Sequence, residues 1–477
     1  MWITYKMIKK MNTYIKIALV VIFSTIMGVA VKAQTAHSAY FLEGVPTIHK
    51  LNPALAPEYG YTTFPFLGNI NMGISSNVGV GTFFYPGEDG KLLNFLNSSV
   101  DAKEFLGDLK SQNKLVSNFD MDIVSFGFHK WGGFNTFGFS LHSSSGVQIP
   151  KDLFEFLKVG RQSVTDPTSY KIRDINLNSM IYSQVALGHS RRINEQWRVG
   201  AKIKGLLGWV NTNFNIDQMD ITMDPTTSQW IINSKGSGDI SIAGIELQSD
   251  PKVDSNGNSY DGIGEVNFDV TKMGLAGGGL AFDLGVAYRP IKDLEITASI
   301  NDLGFMVWKH NESFETISSG VVYDGADMGN NEEVENIGKE FEDMLEFKKV
   351  SKPKATSFMK AVLNVGAEYS FLNNAISLGV LSHTRFGAET YAEGMLAVNF
   401  RAKKAFMMSL NGTVSNMGHS FGTILSVCPK YFNLFLAVDC YPAMKLTPDY
   451  YLPINKFHVN ASLGLSFTFG ERHEWGF

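Results

Sequence analysis

The feature that most constrains this chain is a strict alternation of apolar and polar residues near its C-terminus. Every odd position from Phe457 to Phe469 is apolar, and every even position from His458 to Thr468 is polar or glycine. Because successive side chains of a β-strand point to opposite faces, this alternation predicts a strand with one apolar face and one polar face. The strand is also longer than the roughly five or six residues that are typical of soluble proteins.

The same alternation recurs along the chain, in about 14 segments, with short and long connections in turn. In residues 197–209, Trp197 and Trp209 stand at the two ends of the apolar face, as in the aromatic girdles of membrane barrels. The sequence leaves open how the strands pair between residues 217 and 272. The other clear segments are 68–81, 122–130, 136–144, 181–189, 280–290, 294–308, 363–371, 375–383, 405–414, 420–428 and 432–440.

These segments predict an all-β fold, namely a transmembrane antiparallel β-barrel of about 14 strands with a few short helices in the long connections. Their lengths match or exceed the ~9–11 residues that cross a tilted bilayer. Their polar faces are rich in Gly, Ser, Asn and Thr, which suit a wet lumen. A closed barrel also pairs every backbone group without leaving an edge, so it fits better than a soluble sandwich or propeller.

Three stretches in the long connections have apolar residues at helical spacing, at 98–110, 150–160 and 330–349. Two interpretations stand. The helices plug or cover the lumen, or they are amphipathic helices that cover the rim and pack against neighbouring loops.

The N-terminus has the features of a secretory signal peptide. Lysines precede an apolar run from Ile17 to Val31, and the small residues Val31 and Ala33 suit cleavage after Ala33. The run is about 15 residues long, whereas a spanning helix needs ~20. We therefore expect a signal peptide over 1–33 and a single barrel domain over 34–477, located in the bacterial outer membrane.

Charge and motifs argue against several function classes. A net charge of −5 gives no bulk attraction for nucleic acid. Cys428 and Cys440 are too few for a disulfide framework. Residues 254–265 are similar to a calcium-binding loop but place Ser259 where glycine is needed. Phosphate-binding and hydrolase motifs do not occur, so we expect no cofactor, no metal site and no enzymatic activity.

A set of polar residues on or beside the predicted strands is expected to line the lumen. Those of opposite charge would pair across the interior and stiffen it, or they would shape a permeation path. The candidates are His129, His142, Lys202, Lys204, Asp283, Glu295, Asn301, Glu368, His383 and Arg385.

Residues 39–79 resemble the start of an uncharacterised family of Bacteroidota outer-membrane barrels. The Asn-Pro-Ala core at 52–54 is also similar to the start of the long-chain fatty-acid transporter superfamily and of a type IX secretion outer-membrane component. The resemblance implies a barrel of about 14 strands in the outer membrane, and it implies no particular substrate. The segments that carry it are LNPALAPE (51–58), FPFLGNINMGISSN (64–77), LFEFLKVG (153–160), FDLGVAYRP (282–290) and INDLGFMVW (300–308).

Together these observations favour an outer-membrane transport or channel protein for small molecules, hydrophobic ones included. The expected partners are outer-membrane lipid and a small hydrophobic ligand. The alternative is a non-enzymatic scaffold or component of a secretion or surface complex, whose partner would be a protein of that complex.

The predicted cleavage site can be tested on the exported protein. We expect protein purified from the outer membrane to begin at Gln34, because Val31 and Ala33 fit the small-residue positions before a signal-peptidase cut. Mass spectrometry of the N-terminal peptide measures this directly. Ala33→Ser serves as a control that should still be cut, whereas an intact N-terminus in the membrane fraction would contradict the prediction.

Overall fold

The computed structural model describes residues 37–86, 92–163, 165–226, 229–254, 257–317, 321–323, 345–387, 390–402, 405–446 and 453–473. These residues include two α-helices, α1 (Ala102–Asp108) and α2 (Lys151–Val159). In chain order the strands are β1 (Gly60–Thr63), β2 (Ile70–Ser76), β3 (Phe84–Pro86), β4 (Leu92–Asn94), β5 (Gln112–Lys130), β6 (Gly133–Pro150), β7 (Thr168–Arg192), β8 (Trp197–Met223), β9 (Trp230–Ile242), β10 (Ile245–Val253), β11 (Ser259–Phe268), β12 (Gly277–Ile291), β13 (Leu294–Trp308), β14 (Glu312–Thr316), β15 (Val321–Tyr323), β16 (Phe347–Val350), β17 (Ala355–Phe358), β18 (Val362–Phe371), β19 (Ile376–Arg385), β20 (Tyr391–Ala402), β21 (Phe406–Ser415), β22 (Gly418–Val427), β23 (Phe432–Cys440) and β24 (Phe457–Phe469).

A closed antiparallel barrel of 14 strands forms the body of the molecule, which confirms the predicted fold class. The first barrel strand consists of β1 and β2 in line, and the others are β5 to β8, β12, β13 and β18 to β24. The wall closes where β24 pairs with both parts of the first strand, Phe469 with Gly60 and Leu463 with Ile70. Closure gives each wall strand a neighbour on both sides, so the backbone groups of the wall are paired within it.

The outer face of the barrel is apolar and the inner face is polar. On β24, Phe467 is 53% exposed whereas Ser466 is 1% exposed. On β8, Val199 and Ile203 are exposed, and Lys202 between them is buried. The period of two in the sequence therefore divides each strand into an outward apolar set and an inward polar set.

The two ends of the barrel differ in how the strands connect. Short turns predominate at one end, which we call the short-turn end. There Trp131 and Gly132 join β5 to β6 with φ angles of 58° and 73°, as a tight hairpin turn of type I′ requires. The connections that hold α1 and α2 lie at the opposite end, which we call the long-loop end.

The first barrel strand is interrupted. The prediction of a single strand over 68–81 has both its start and its end wrong, because β2 covers only Ile70–Ser76. Residues 64–69 leave the ladder between β1 and β2, and Phe66 has a φ of 61°, which is rare for a residue other than glycine. Val78 and Val80 continue the apolar alternation, but they belong to the connection after β2. Alternation alone does not reveal where a ladder stops, because a turn can keep the same spacing of apolar residues.

A further sheet extends from the barrel at the long-loop end, and we call it the outer sheet. β8 is long enough to pair with β12 in its first part and with β9 in its second part. β9 pairs with β14 and β15, β14 pairs with β16, β16 with β11, and β11 with β10. These pairings answer the question that the sequence left open between 217 and 272.

The outer sheet has its own hydrophobic core, and α2 is part of it. Phe156 of α2 is 0% exposed and meets Tyr170 and Trp230 edge to face, with ring centroids 5.5 and 5.6 Å apart. The strands contribute the rest of the core, including Ile172, Ile216, Met219, Ile221, Ile232, Leu247 and Phe314. The helix and the extended parts of β7 and β8 are therefore packed as one unit outside the barrel wall.

Both helices lie at the rim, as the second interpretation of the sequence held. Phe105 of α1 and Phe154 of α2 share a cluster with Phe83 and Phe95 of the preceding loop. Neither helix contributes a lining residue to the cavity described below. Among the residues that the structure describes, no helix is both long and apolar enough to cross a membrane.

The third helix prediction fails where the structure can test it. Residues 347–349 belong to β16, because their pairing with β14 outweighs the helical spacing of apolar residues before them. Residues 330–344 of that prediction lie outside the described residues. Cys428 and Cys440 are both free thiols.

Truncating Phe156 should loosen the outer sheet and leave the barrel intact. Removing a fully buried phenylalanine costs about 3–5 kcal/mol, and this core lies outside the barrel wall. We expect Phe156→Ala to speed hydrogen exchange in β9 and β10, while the barrel keeps its heat-modifiable gel mobility. Val159→Ala is the matched control, because Val159 is on the same helix and 38% exposed. Unchanged exchange in β9 and β10 would contradict the prediction.

Candidate functional site

The N-terminal residues 37–58 fill part of the lumen, and we call them the plug. The plug contains two short 3-10 turns, His37–Ala39 and Pro46–Lys50, and it leads directly into β1. Its side chains are mostly buried, and Leu42 and Val45 are 0% exposed. They pack against inward-facing residues of the wall, namely Ala287, Leu381, Met395, Ala397, Met407, Ile424, Phe435 and Ala437. Residues 37–58 therefore occupy the lumen, whereas the two rim helices do not.

One carbonyl of the plug accepts three hydrogen bonds from the wall. Ser299 Oγ, Asn301 Nδ2 and Asn364 Nδ2 donate to the Leu51 oxygen over 2.9, 2.7 and 2.9 Å. A carbonyl oxygen has two lone pairs, so three donors saturate it. Because β13 and β18 are neighbours in the wall, these donors fix the plug to one sector of the barrel.

The turn that follows Leu51 is held by Asn52. The Asn52 Oδ1 accepts the backbone N–H of Ala54 at 2.9 Å, which closes the turn locally. The Asn52 Nδ2 donates to the Tyr40 hydroxyl and to the Ala298 carbonyl, both at 3.3 Å. One amide side chain thus joins two parts of the plug to each other and to β13.

Two glycines of the wall make room for this turn. A Cβ atom at Gly200 would lie 2.0 Å from the Pro53 oxygen, and one at Gly285 would lie 2.1 Å from Asn52 Oδ1. No side chain larger than hydrogen fits at these distances unless the plug moves. Glycine at these two positions therefore reflects the close approach of the plug to β8 and β12.

Ionised side chains of the wall reach the remaining parts of the plug. Some of them pair with an acidic or imidazole side chain of the plug, and one donates to a backbone oxygen of the plug. Two carboxylates of the wall pair with the same wall arginines. The contacts are Arg289 with Glu43 (3.0 Å) and with Glu295, Arg401 with the Phe41 oxygen (2.6 Å) and with Glu368 (2.6 Å), and Glu393 with His37.

On the long-loop side of the plug, the lumen holds a cavity of about 200 Å³. His49 and Lys50 of the plug form its floor, and side chains from β2, β5 to β8, β12, β13, β18 and β19 form its walls. Nine charged side chains line it together with uncharged polar ones, and Met180, Tyr182 and Met359 belong to its larger apolar surface. The cavity is large enough for a small organic molecule that carries polar groups.

His49 and Lys50 join the plug to the wall at the cavity floor. Lys50 forms an ion pair with the buried carboxylate of Asp122. Lys202 Nζ donates to His49 Nδ1 at 2.8 Å, and the other ring nitrogen of His49 donates to the Tyr61 hydroxyl at 2.5 Å. Burial and the nearby Lys202 ammonium hold the pKa of His49 well below its usual range, so the ring is neutral and can accept that hydrogen bond.

The middle of the cavity holds a compact group of ion pairs. Lys204 Nζ lies 2.6 Å from Asp283 and 2.7 Å from Asp302. Asp302 has a φ of 58° and its N–H donates to Asp283 Oδ1 at 2.8 Å, so a bulge in β13 turns both carboxylates toward one ammonium. On the other side, His142 pairs with Asp120.

Two cations reach across the cavity nearer the long-loop end. Arg385 of β19 donates to Asn118 Oδ1 of β5 at 2.7 Å. Lys360, just before β18, donates to Asn178 Oδ1 of β7 at 2.9 Å. β5 and β19 are the second and ninth of the 14 wall strands, so Arg385 reaches the opposite side of the lumen. We call these two contacts the outer bridge.

The residues that the sequence singled out fall into three groups. His129 lies apart from the cavity, where its Nε2 donates to the Pro57 oxygen at 3.0 Å. Those that contact the plug or its ion pairs are Glu295, Asn301 and Glu368. Those that line the cavity are His142, Lys202, Lys204, Asp283, His383 and Arg385.

Sequence reasoning missed several residues of the site for identifiable reasons. Glu43, His49 and Lys50 precede the first strand, where no alternation marks a position as inward. Asp122 shares the parity of the outward residue Val124, but a bulge between them shifts the register and turns Asp122 inward. Among the described residues, no group of three or more His, Cys, Asp or Glu side chains could hold a metal ion.

Residues 53–439 match the model of a family of unknown function, DUF5723. The chain belongs to this family. The match begins at Pro53, in the turn that Gly200 and Gly285 accommodate, and ends in β23. No curated protein matches the chain.

Several solved barrel structures are similar to this chain at low identity. The Ralstonia pickettii toluene transporter TbuX is 11% identical with a TM-score of 0.41, over 89% of this chain and 94% of that one. The P. putida toluene transporter TodX is 8% identical with a TM-score of 0.39, over 90% and 94%. A Pseudomonas aeruginosa FadL homologue is 9% identical with a TM-score of 0.38, over 89% and 94%.

Adding one methyl group at Gly285 should displace the plug. The new Cβ would lie within 2.1 Å of Asn52 Oδ1, and overpacking of this kind costs about 1–3 kcal/mol. We expect Gly285→Ala to raise hydrogen exchange in residues 46–56 by roughly tenfold without opening the wall strands. Gly278→Ala on the same strand is the control, because its Cβ would meet its nearest neighbour at 3.4 Å. Equal exchange in the two variants would contradict the prediction.

Proposed function

We propose that the protein is an outer-membrane transport protein that passes small molecules through the barrel lumen. The observation that carries this proposal is the cavity of about 200 Å³ between the plug and the outer bridge. It lies inside the closed wall, on the long-loop side of the plug. The plug below the cavity then acts as the gate toward the short-turn end.

The surface of the barrel supports a membrane location. Its outward side chains are apolar, and its strands close on themselves, which is how a sheet crosses a bilayer with its backbone groups paired. Together with the predicted signal peptide, this supports the outer membrane. The long-loop end would then face outward, because long loops of such barrels lie on the extracellular side.

The way the plug is held supports a gating role. Its ordered turns are of the 3-10 type, and the contacts described above come from side chains of the wall. Moving the plug would exchange those hydrogen bonds with water and would leave the ladders of the wall intact. The plug can therefore move without separation of two wall strands, at the cost of exposing its buried apolar side chains.

The lining of the cavity bears on the class of solute. The sequence favoured transport of small molecules, including hydrophobic ones. Met180, Tyr182 and Met359 offer such a molecule an apolar surface in the cavity. Nine charged side chains line the cavity as well, and a wholly apolar molecule would desolvate them without compensation. A small solute with both a polar and an apolar part fits this lining best.

A second candidate function is a scaffold for a surface complex, and the outer sheet favours it. This sheet has a hydrophobic core separate from the plug and the cavity, so it is built independently of any lumen path. A surface partner would bind there. Crosslinking in intact cells, followed by identification of a stoichiometric protein on β9 to β11, would support this function over transport.

Filling the cavity should abolish transport. Ala186 of β7 lines the cavity and faces inward, so Ala186→Trp would place an indole in it. In liposomes that hold the full-length protein, we expect wild type to pass small uncharged polyols and the variant to fall to the level of empty liposomes. Ala186→Ser is the control for the position, and gel mobility before and after heating checks folding. Equal swelling rates for the tryptophan variant and wild type would refute the proposed function.

A further inference from the structure

We infer that the cavity is a binding site for a neutral polyol of the size of one sugar ring, whose hydroxyl groups pair with the amide side chains of Asn69, Asn71 and Gln184. This inference rests on the proposed transport function and names its substrate class. It identifies the three amides as the residues that determine specificity.

The three amides lie close together on the inner face of the wall. The Asn69 oxygen accepts the backbone N–H of Asp122 at 2.9 Å, so Asn69 stands beside β5 just before β2 begins. Asp122 is opposite Ser140 of β6, and Ser140 is opposite Gln184 of β7. Asn71 comes two residues after Asn69, about 7 Å farther along the strand. The amides thus belong to one polar area that crosses four neighbouring strands.

Each of these amides is buried and has a polar atom without a partner. Asn69 and Asn71 are both 2% exposed, and Gln184 is 8% exposed. Their side chains line the cavity, yet Nδ2 of the two asparagines and Oε1 of Gln184 have no hydrogen-bond partner among the described residues. Buried polar groups are normally paired, because an unpaired one costs free energy. A ligand that pairs with them would recover this cost.

Two carboxylate oxygens add acceptors to the same cavity. Asp122 and Asp283 are each 1% exposed, and the Oδ2 of each has no partner among the described residues, whereas the Oδ1 of each makes the contacts given above. An anion would bring further acceptors to these oxygens. A cation would bring donors only and would leave Asn69 and Asn71 unpaired. Hydroxyl groups both donate and accept, so a neutral polyol can pair with all of these atoms.

The apolar part of the lining suits the rest of a sugar ring. The ring of Tyr182 stacks on His142 with centroids 5.0 Å apart, and Tyr182 and Met359 belong to one hydrophobic cluster against which Met180 packs. A sugar ring carries hydroxyl groups at its edge and C–H groups on its faces, and these side chains would bury a C–H face. Pockets for drug-sized ligands measure about 300–1,000 Å³, so a cavity of about 200 Å³ suits a smaller molecule.

The test compares glucose, glucuronate and glucosamine, which share one ring and differ in charge. Calorimetric titration of the full-length protein in detergent measures binding, and liposomes that hold the protein measure flux. We expect saturable binding of glucose, tighter than that of either charged ring. Asn71→Leu and Gln184→Leu should each weaken glucose binding roughly fivefold, the effect of one hydrogen bond between uncharged groups. Neither should destabilise the barrel, because the atoms removed have no partner in the protein to lose.

Asn267→Leu is the matched control for loss of an amide. Asn267 lies on β11 of the outer sheet and does not line the cavity, so this variant should bind glucose like wild type. Absence of saturable glucose binding, or binding of a charged ring as tight as that of glucose, would overturn the inference, and flux into liposomes would leave transport standing. Unchanged glucose affinity in both cavity variants would also overturn it. Saturable glucose binding without flux of any of the three solutes would instead refute the transport function and leave the site standing.

Discussion

Closure of the wall between the last strand and the first is the constraint on which the rest of this structure depends. Once β24 pairs with β1 and β2, the wall offers no strand edge to another segment. The plug therefore cannot join the sheet, and its backbone groups are satisfied by its own short turns and by wall side chains. Three donors converge on the Leu51 oxygen, and Asn433 Nδ2 donates to the Gly44 oxygen at 2.8 Å.

This constraint explains how the inner face of the barrel is divided between two tasks. Toward the short-turn end, asparagines, serines, glycines and paired arginines hold the plug. Toward the long-loop end, lysines, aspartates and histidines surround the cavity. The sequence allowed inward charges either to pair across the lumen or to shape a path. Glu295 and Glu368 pair with arginines of nearby strands rather than across the lumen, whereas Lys204 and Arg385 line the cavity.

Much of the wall could be predicted from the sequence because a strand between lipid and a polar lumen has a strict period of two. Segments such as 457–469 and 197–209 meet this condition, and their faces follow directly. The method fails where a residue breaks the period. The bulge before Val124 inverts the face of Asp122, and residues 64–69 interrupt a ladder without interrupting the spacing of apolar residues.

The candidate site was less predictable than the wall. The plug is satisfied by contacts with distant strands, and no local pattern reports such contacts. The glycines of the wall are one example. The need for glycine at 200 and 285 comes from the close approach of Pro53 and Asn52, and the sequence around the two glycines does not show it. The outer sheet was missed for a related reason, because its strands pair across long separations, as β9 does with β14.

The plug leads directly into β1, and β1 is the strand that the last strand must find when the barrel is assembled. The seam of the wall and the content of its lumen are thus joined by a few residues of chain. When the C-terminal strand arrives at the N-terminal one, it encloses a segment that is already tethered at the rim. Assembly of an empty barrel and assembly of a filled one are therefore not separate events, because the pairing of β24 with β1 also encloses residues 37–58.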